Sequence, residues 1–232
     1  MKDSLVPASI ILAGLLIGGA VIYNSSSNAS TIDNKINDNE VLLEVTADDI
    51  ILGSADAPIT VIEYSDPSCS FCGAASGENE EVANYLKQRD PSWTAALPGL
   101  KNAYIENGDV RLVFRYFPGH GKGEEAAKAM FCANEQDKFW ELHDLVFALF
   151  AEKESVGYPE VRQLAEGLEI NMNDYDNCIA EDRYADKITN DTAGGKALGI
   201  SGTPGFLING VLLEGAYSFS QFQLIIDDML GR

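Results

Sequence analysis

Two cysteines three residues apart, in the run Cys69-Ser70-Phe71-Cys72, are the pair in this chain best suited to chemistry. The run before them, Ile59 to Asp66, reads ITVIEYSD behind Ala57-Pro58. It is β-branched and apolar, the pattern of a buried strand. The run after them reads as a turn feeding a helix. A helix start offers unpaired N–H groups and a partial positive charge, and both stabilise a thiolate. Cys69 is therefore expected to be the exposed nucleophile, and Cys72, one turn in, the shielded thiol that resolves a mixed disulfide. Half of a zinc site is the alternative. Zinc takes four ligands, and the other candidates, Cys132, Cys178, His120 and His143, contain no second close pair. The expectation is a redox pair with no metal and no cofactor.

Two further features agree with that chemistry. Glu63 sits inside the apolar strand, six residues before Cys69. A buried carboxylate is costly, so its pKa should rise, and a proton acceptor for Cys72 would explain it. A solvent-facing strand position is the plainer reading. Thr203-Pro204, between Gly202 and Gly205, precedes a strand. Proline cannot serve a central ladder and belongs at a strand start. A cis Thr203–Pro204 bond beside the cysteines would leave Thr203 backbone groups free to pair with a substrate chain.

The elements that must position these groups can be read coarsely. RLVFRYF, Arg111 to Phe117, is a second strand, stopped by Pro118-Gly119. From Gly123 to Leu198 the apolar period becomes helical, in EEAAKAMFCANEQ, KFWELHDLVFALF, YPEVRQLAEGL and the run from Glu181 to Leu198. FLING-VLLEG turns at Asn209-Gly210, a hairpin signal. SFSQFQLIIDDML closes the chain as a helix capped by Ser218, with Phe222, Ile225, Ile226 and Met229 on one face. The order implies a mixed sheet, helices on both faces and an all-helical insertion at about 120–198. The stretch from Ala74 to Gly99 reads as a surface insertion, with a lid or partner surface as alternatives. His120, in PGHGKG, reads as a solvated loop residue and His143 as a packed or capping histidine. The aromatic run Phe139, Trp140, Phe147 and Phe150 reads as core.

Residues 5–23 carry no charge, and at about 1.5 Å per residue their 19 residues span a hydrocarbon core. With Lys2 ahead of them they read as a signal anchor that leaves everything after Tyr23 outside. Cleavage near Ala29, giving a secreted form, is the alternative. Residues 24–40 are Ser/Asn-rich and read as a flexible linker to a domain at 41–232. The net charge of −20 disfavours nucleic-acid and anionic-lipid binding, which need a basic surface. In an exported chain Cys132 and Cys178, the pair left over, are expected to form a structural disulfide, with two buried free thiols as the alternative.

DPSCSFC after VIEY, RYFPGHG, AMFCANEQDKFWELHDLVF and GISGTPGFLING together resemble the DsbA-like thioredoxin-fold oxidoreductases, from about Leu42 to Met229. The resemblance implies an α/β thioredoxin fold with a helical insertion. It implies Cys69 as nucleophile, Cys72 as resolving thiol, Glu63 in the buried-acid position, and Pro204 as the cis-proline behind Thr203. The expected activity is extracytoplasmic disulfide exchange with cysteine-containing exported proteins, helped by a membrane redox partner. A reductase or isomerase direction, or a non-catalytic thioredoxin-like binding module, is the alternative. Between the cysteines stands Ser-Phe, without the His of the most oxidising members. From Ile36 to Leu86 there is no Lys or Arg, yet eleven acidic residues occur, Asp66 among them. Negative charges raise a thiol pKa, so Cys69 is expected nearer ~7 than the ~3.5 of the strongest oxidants, with a salt-sensitive value.

Overall fold

The computed structural model describes residues 43–119, 122–153 and 156–232. The anchor 1–23, the linker 24–40 and His120 lie outside the described residues. Among those described, no helix is long and apolar enough to cross a membrane.

The β-branched and apolar runs form one mixed sheet. Its strands are β1 (Ile50–Leu52), β2 (Ile59–Ser65), β3 (Val110–Tyr116), β4 (Gly205–Ile208) and β5 (Val211–Glu214), in the spatial order β1-β3-β2-β4-β5. β2 and β3 are parallel, and the remaining pairs are antiparallel. The central strand β2 is buried along nearly all its length, as its apolar composition requires. The β4–β5 hairpin turns on Asn209 and Gly210, both with positive φ (43° and 88°), the conformation an Asn-Gly turn supplies at little cost.

Three helical pieces link β2 to β3: α1 (Ser70–Ser76), α2 (Glu80–Arg89) and α3 (Ala96–Leu100), the last continued by a π-helical turn, Lys101–Ile105. Between β3 and β4 the insertion supplies α4 (Glu124–Asn134), α5 (Phe139–Glu152), α6 (Tyr158–Glu166), α7 (Met172–Ala180) and α8 (Ala185–Ala197). After the hairpin, α9 (Phe219–Leu230) closes the chain.

Strand alternation sends Glu63, Leu112, Phe114 and Phe206 to one face of the sheet and Tyr64, Val113 and Arg115 to the other. Against the first face, one apolar cluster joins Leu100, Phe222 and Ile226 to Leu112 and Phe206. Another joins Cys72, Met130, Phe131, Phe139 and Phe147 to Phe114. The second face carries buried charge. Arg115 Nη2 lies 2.8 Å from Asp49 Oδ2, and Lys187 Nζ lies 3.6 Å from Asp49 and 3.1 Å from Asp191. Asp191 in turn accepts a hydrogen bond from the Tyr116 amide at 3.0 Å. Two cations meet two anions here, so α8 and the segment before β1 are held to the sheet without an uncompensated charge.

The structure corrects several local expectations. The helix after Cys72 is two helices, because Gly77 takes a left-handed φ of 93° and ends α1. Asn79 starts α2 afresh, its side chain accepting from the Val82 amide. β1 was too short to show a period. α7 falls between the individual helical runs read from the period, and Asn171, whose side chain accepts from the Asn173 amide, is its start signal. Ser218 stands at the start of α9, but its hydroxyl accepts from Thr94 N. Met229 is exposed and Ile225 only partly buried. The stretch 74–99 is a surface element only in part: α2 has no buried residue, but the segment after it packs inward. Trp93 is buried and donates to Ala216 O at 2.9 Å, and Ala96 and Leu97 belong to the core.

Cys132 on α4 and Cys178 on α7 form a disulfide with Cα atoms 5.8 Å apart, closing a separation of 46 residues. A loop of that size contributes about 4 kcal/mol in the chain-entropy account. Replacing both cysteines by alanine should lower unfolding stability by about 2–4 kcal/mol in denaturant titration, with disulfide exchange at Cys69 unchanged.

Candidate active site

The site forms where β2 ends. Asp66, buried, turns the chain through Pro67 and Ser68 into α1. Its Oδ1 accepts from the Ser68 amide (2.8 Å) and hydroxyl (2.7 Å), its Oδ2 accepts from the Gly119 amide (2.8 Å), and its carbonyl accepts from Cys69 N (2.9 Å). A Cβ on Gly123 would lie 1.9 Å from Asp66 Oδ1, and one on Gly119 would lie 2.2 Å from Thr203 Oγ1. Glycine at these two positions lets the loop after β3 close over the cysteine turn and the Thr203–Pro204 turn together. Sequence reading missed this role of Asp66, Gly119 and Gly123. The glycines of PGHGKG were the available signal.

Cys69 occupies the residue before the first turn of α1, and Cys72 lies within that turn. Both are free thiols. Cys72 is fully buried, as expected of the shielded partner. Cys69 is not the exposed thiol the sequence suggested: it is 2% exposed, while Phe71 beside it is 40% exposed. The reason is the turn at Thr203–Pro204, whose peptide bond is cis and which sits against Cys69. The Cys69 thiol donates to Thr203 O at 3.3 Å. Thr203 Oγ1 is buried without a hydrogen-bond partner.

The two thiols differ in acidity. The hydrogen bond from Cys72 brings Cys69 down to about 6, against burial, with further help from the backbone N–H groups of Cys72 and Phe71. Burial pushes Cys72 well above the ordinary thiol value, and the thiolate character of Cys69 pushes it further. The value for Cys69 falls on the expected side of the strongest oxidants, but the expected cause does not hold. Hydrogen bonds from its immediate neighbours set it, not a cloud of exposed acids, and Asp66 is buried with its carboxylate bonded to Ser68 and Gly119.

Glu63 is fully buried within β2, with neither carboxylate oxygen in a hydrogen bond. Burial raises its pKa, partly countered by His143 and by Ser65. Thus the structure gathers Cys69, Cys72, Glu63, Thr203 and Pro204 at one end of the sheet. Cys132 and Cys178 bond to each other in the insertion and can complete no zinc site with the pair.

A low-pKa thiol at a helix start, a buried partner thiol and a cis-proline turn on a mixed sheet define a thioredoxin-fold thiol–disulfide oxidoreductase. A thioredoxin family model matches residues 45–88 and 92–228. Among solved structures, alpha-DsbA1 of Wolbachia pipientis is similar with a TM-score of 0.65 and 27% identity, over 84% of this chain and 96% of that one. Oxidised BdbD of Bacillus subtilis is similar with a TM-score of 0.66 and 21% identity, over 80% and 94%. DsbA of Chlamydia trachomatis gives 0.64 and 20%, over 82% and 94%. A curated relative, Na(+)/H(+) antiporter NhaA 3 of Salinispora tropica, is 30% identical over 173 residues, 73% of this chain and 23% of that protein. The chain spans about a quarter of the length of the curated relatives it matches. The chain belongs to the thioredoxin family, in its DsbA-like branch.

Because the groups that lower the Cys69 pKa are short-range and buried, salt should move it little. Thiolate absorbance should titrate with a midpoint near 6, nearly the same at low and high salt.

Proposed function

We propose that this protein exchanges disulfides with cysteine-containing exported proteins, through a mixed disulfide at Cys69, on the outer side of a membrane to which residues 5–23 tether it. The observation that carries the reading is the unequal pair: Cys69 at the start of α1 against the cis Thr203–Pro204 turn, beside a fully buried Cys72. Such a pair has one thiol ready to attack and one ready to resolve.

In the direction that closes the Cys69–Cys72 disulfide, the Cys69 thiolate attacks a substrate disulfide. A Cys69–substrate S–S bond forms and the first substrate sulfur leaves as thiolate. Cys72 then gives its proton to Glu63 carboxylate and attacks Cys69 Sγ. The Cys69–Cys72 bond forms, the second substrate sulfur leaves as thiolate, and both substrate thiolates take protons from water. Two electrons pass from the protein dithiol to the substrate. Run in reverse, the same steps donate a disulfide. In both directions Thr203 lies beside the reacting sulfur, with Pro204 fixing the turn.

A membrane redox partner that resets the pair fits the same site. The antiporter name of the curated relatives brings no transport to this chain, because the shared region here folds as a sheet-centred domain around a dithiol.

The assignment of the two thiols is tested by trapping. Cys72→Ser should accumulate a mixed disulfide with a cysteine-containing protein and Cys69→Ser none, read on non-reducing gels. Equal trapping would exchange or remove the roles.

Glu63→Gln keeps size and removes the proton acceptor. Closure of the disulfide should slow by about 10²-fold near neutral pH in stopped-flow measurements. The folded-state pKa of Glu63 is raised, so its ionisation costs wild-type stability as pH rises above the ordinary carboxyl range. The Gln variant escapes that cost, and its stability relative to wild type should increase from acid to neutral pH.

A further inference from the structure

Glu63 takes up a proton in a site sealed from solvent, so the proton needs a way out. The neighbours of Glu63 show one. Glu63 stands opposite Phe114 in the β2–β3 register. On Phe114 lies the ring of His143, with centroids 5.7 Å apart, and His143 is the strongest influence favouring the Glu63 carboxylate charge. The His143 ring is enclosed by Phe139, Trp140 and Phe147 at 6.0, 5.3 and 4.4 Å, and its side chain is 1% exposed.

Its two nitrogens face different worlds. Nδ1 lies 2.8 Å from Asp144 Oδ1, whose side chain is 60% exposed. A carboxylate only accepts, so this bond places a proton on Nδ1 and leaves a lone pair on Nε2 in the neutral ring. Nε2 is buried and has no hydrogen-bond partner. The same holds for both Glu63 oxygens and for Ser65 Oγ. Four buried polar atoms without protein partners, on Glu63, Ser65 and His143, are uncommon in a folded core. The packing of α5 makes a structural purpose insufficient. An aromatic or leucine would fill this cage without bringing a polar ring nitrogen into it.

We infer that His143 and Asp144 form the proton exit of the buried acid, connecting Glu63 to solvent. The inference rests on the exchange reaction proposed above. As the disulfide closes, the proton that Glu63 received from Cys72 passes to His143 Nε2, directly or across one water molecule. The Nδ1 proton leaves to Asp144 and then to bulk water, and Glu63 is again a carboxylate. No electron moves in this step. When the disulfide is next opened, Cys72 leaves as thiolate and a proton travels inward by the reverse path. The two half-cycles carry the proton in opposite directions, so each restores the His143 tautomer the other consumed. No ring flip is needed. His143 touches neither sulfur and acts through Glu63, so it is a positioning residue for the proton rather than a catalytic one. The groups facing this path from the surrounding elements are Ser65 on β2, Cys69 just before α1 and Cys72 on it, Glu78 beyond α1, and Asp144 on α5 itself.

The test separates attack from closure. Full-length protein is mixed with oxidised glutathione, quenched with acid at short times, and the Cys69–glutathione adduct is followed by mass spectrometry. His143→Phe keeps an aromatic in the cage, and Asp144→Asn keeps an acceptor on Nδ1 that cannot take the proton. Both should form the adduct at the wild-type rate. Both should convert it to the Cys69–Cys72 disulfide more slowly, by about tenfold at neutral pH, a modest fraction of what a positioned proton carrier contributes. The deficit should shrink as pH rises and hydroxide replaces the carrier, and the equilibrium potential of the pair should not change. Closure at the wild-type rate in both variants overturns the relay. So does a parallel loss of attack, closure and potential, which would mark His143 as packing alone. If His143→Phe does not fold, Asp144→Asn, at an exposed position, decides by the same criteria. Failure of the wild-type protein to form any adduct at Cys69 would instead defeat the exchange reaction itself.

Discussion

A single buried carboxylate holds the reactive end of this molecule together. Asp66 accepts hydrogen bonds from the turn that leads into α1 and from the loop that follows β3. Buried polar groups are tolerated only when satisfied, and once satisfied they fix geometry more sharply than apolar contact does. Asp66 ties the cysteine turn to the Gly119 loop, and Gly119 in turn lies tight against Thr203. Three segments distant in sequence thereby meet at one sulfur. The position of Cys69 against Thr203 O follows from this tie rather than from anything in the Cys-x-x-Cys pattern itself.

Charge is treated differently on the two faces of the sheet. On the face away from the dithiol, Asp49, Asp191, Arg115 and Lys187 compensate one another in a buried cluster that binds α8 and the chain before β1. On the dithiol face Glu63 has no cation bonded to it. In the first arrangement Arg115 and Lys187 hold the Asp49 carboxyl below its ordinary value against burial, while burial still raises that of Asp191. The second leaves an acid poised to change its protonation state, which is the property a proton acceptor requires. Asp49 and Glu63, both buried, thus shift in opposite directions because of what surrounds them.

Much of this was legible in the sequence. The strand ending at Asp66, the cysteine pair at its junction with a helix, the Asn-Gly hairpin and the helical insertion each carry a local signal, through β-branching, turn chemistry or period. What was hidden depends on contacts between distant segments. The recess of Cys69 comes from the Thr203–Pro204 turn, and no local pattern reports it. Asp66 looked like one more acid in an acidic run, whereas its hydrogen bonds are made to Ser68 and Gly119. His143 reads as a packed histidine, and it is packed. Its second property, a nitrogen facing the interior, belongs to the orientation of α5 over Phe114. The break at Gly77 was visible as a glycine but not as a left-handed one.

The insertion also changes how far the chain must travel to complete its sheet. β2 finds its parallel neighbour β3 after a moderate excursion, but its other neighbour, β4, arrives only after the whole insertion, pairing Glu63 with Phe206. Such distant pairing makes a high contact order and slow folding, since the closure entropy is lost before the contact forms. The Cys132–Cys178 bond lies within that excursion and short-circuits a separation of 46 residues. Halving the effective length of a closing loop relieves about 0.6 kcal/mol of that entropy. Once formed, the cross-link therefore acts at a distance from itself: it makes the last strand of the central ladder effectively nearer, in a part of the molecule it does not touch.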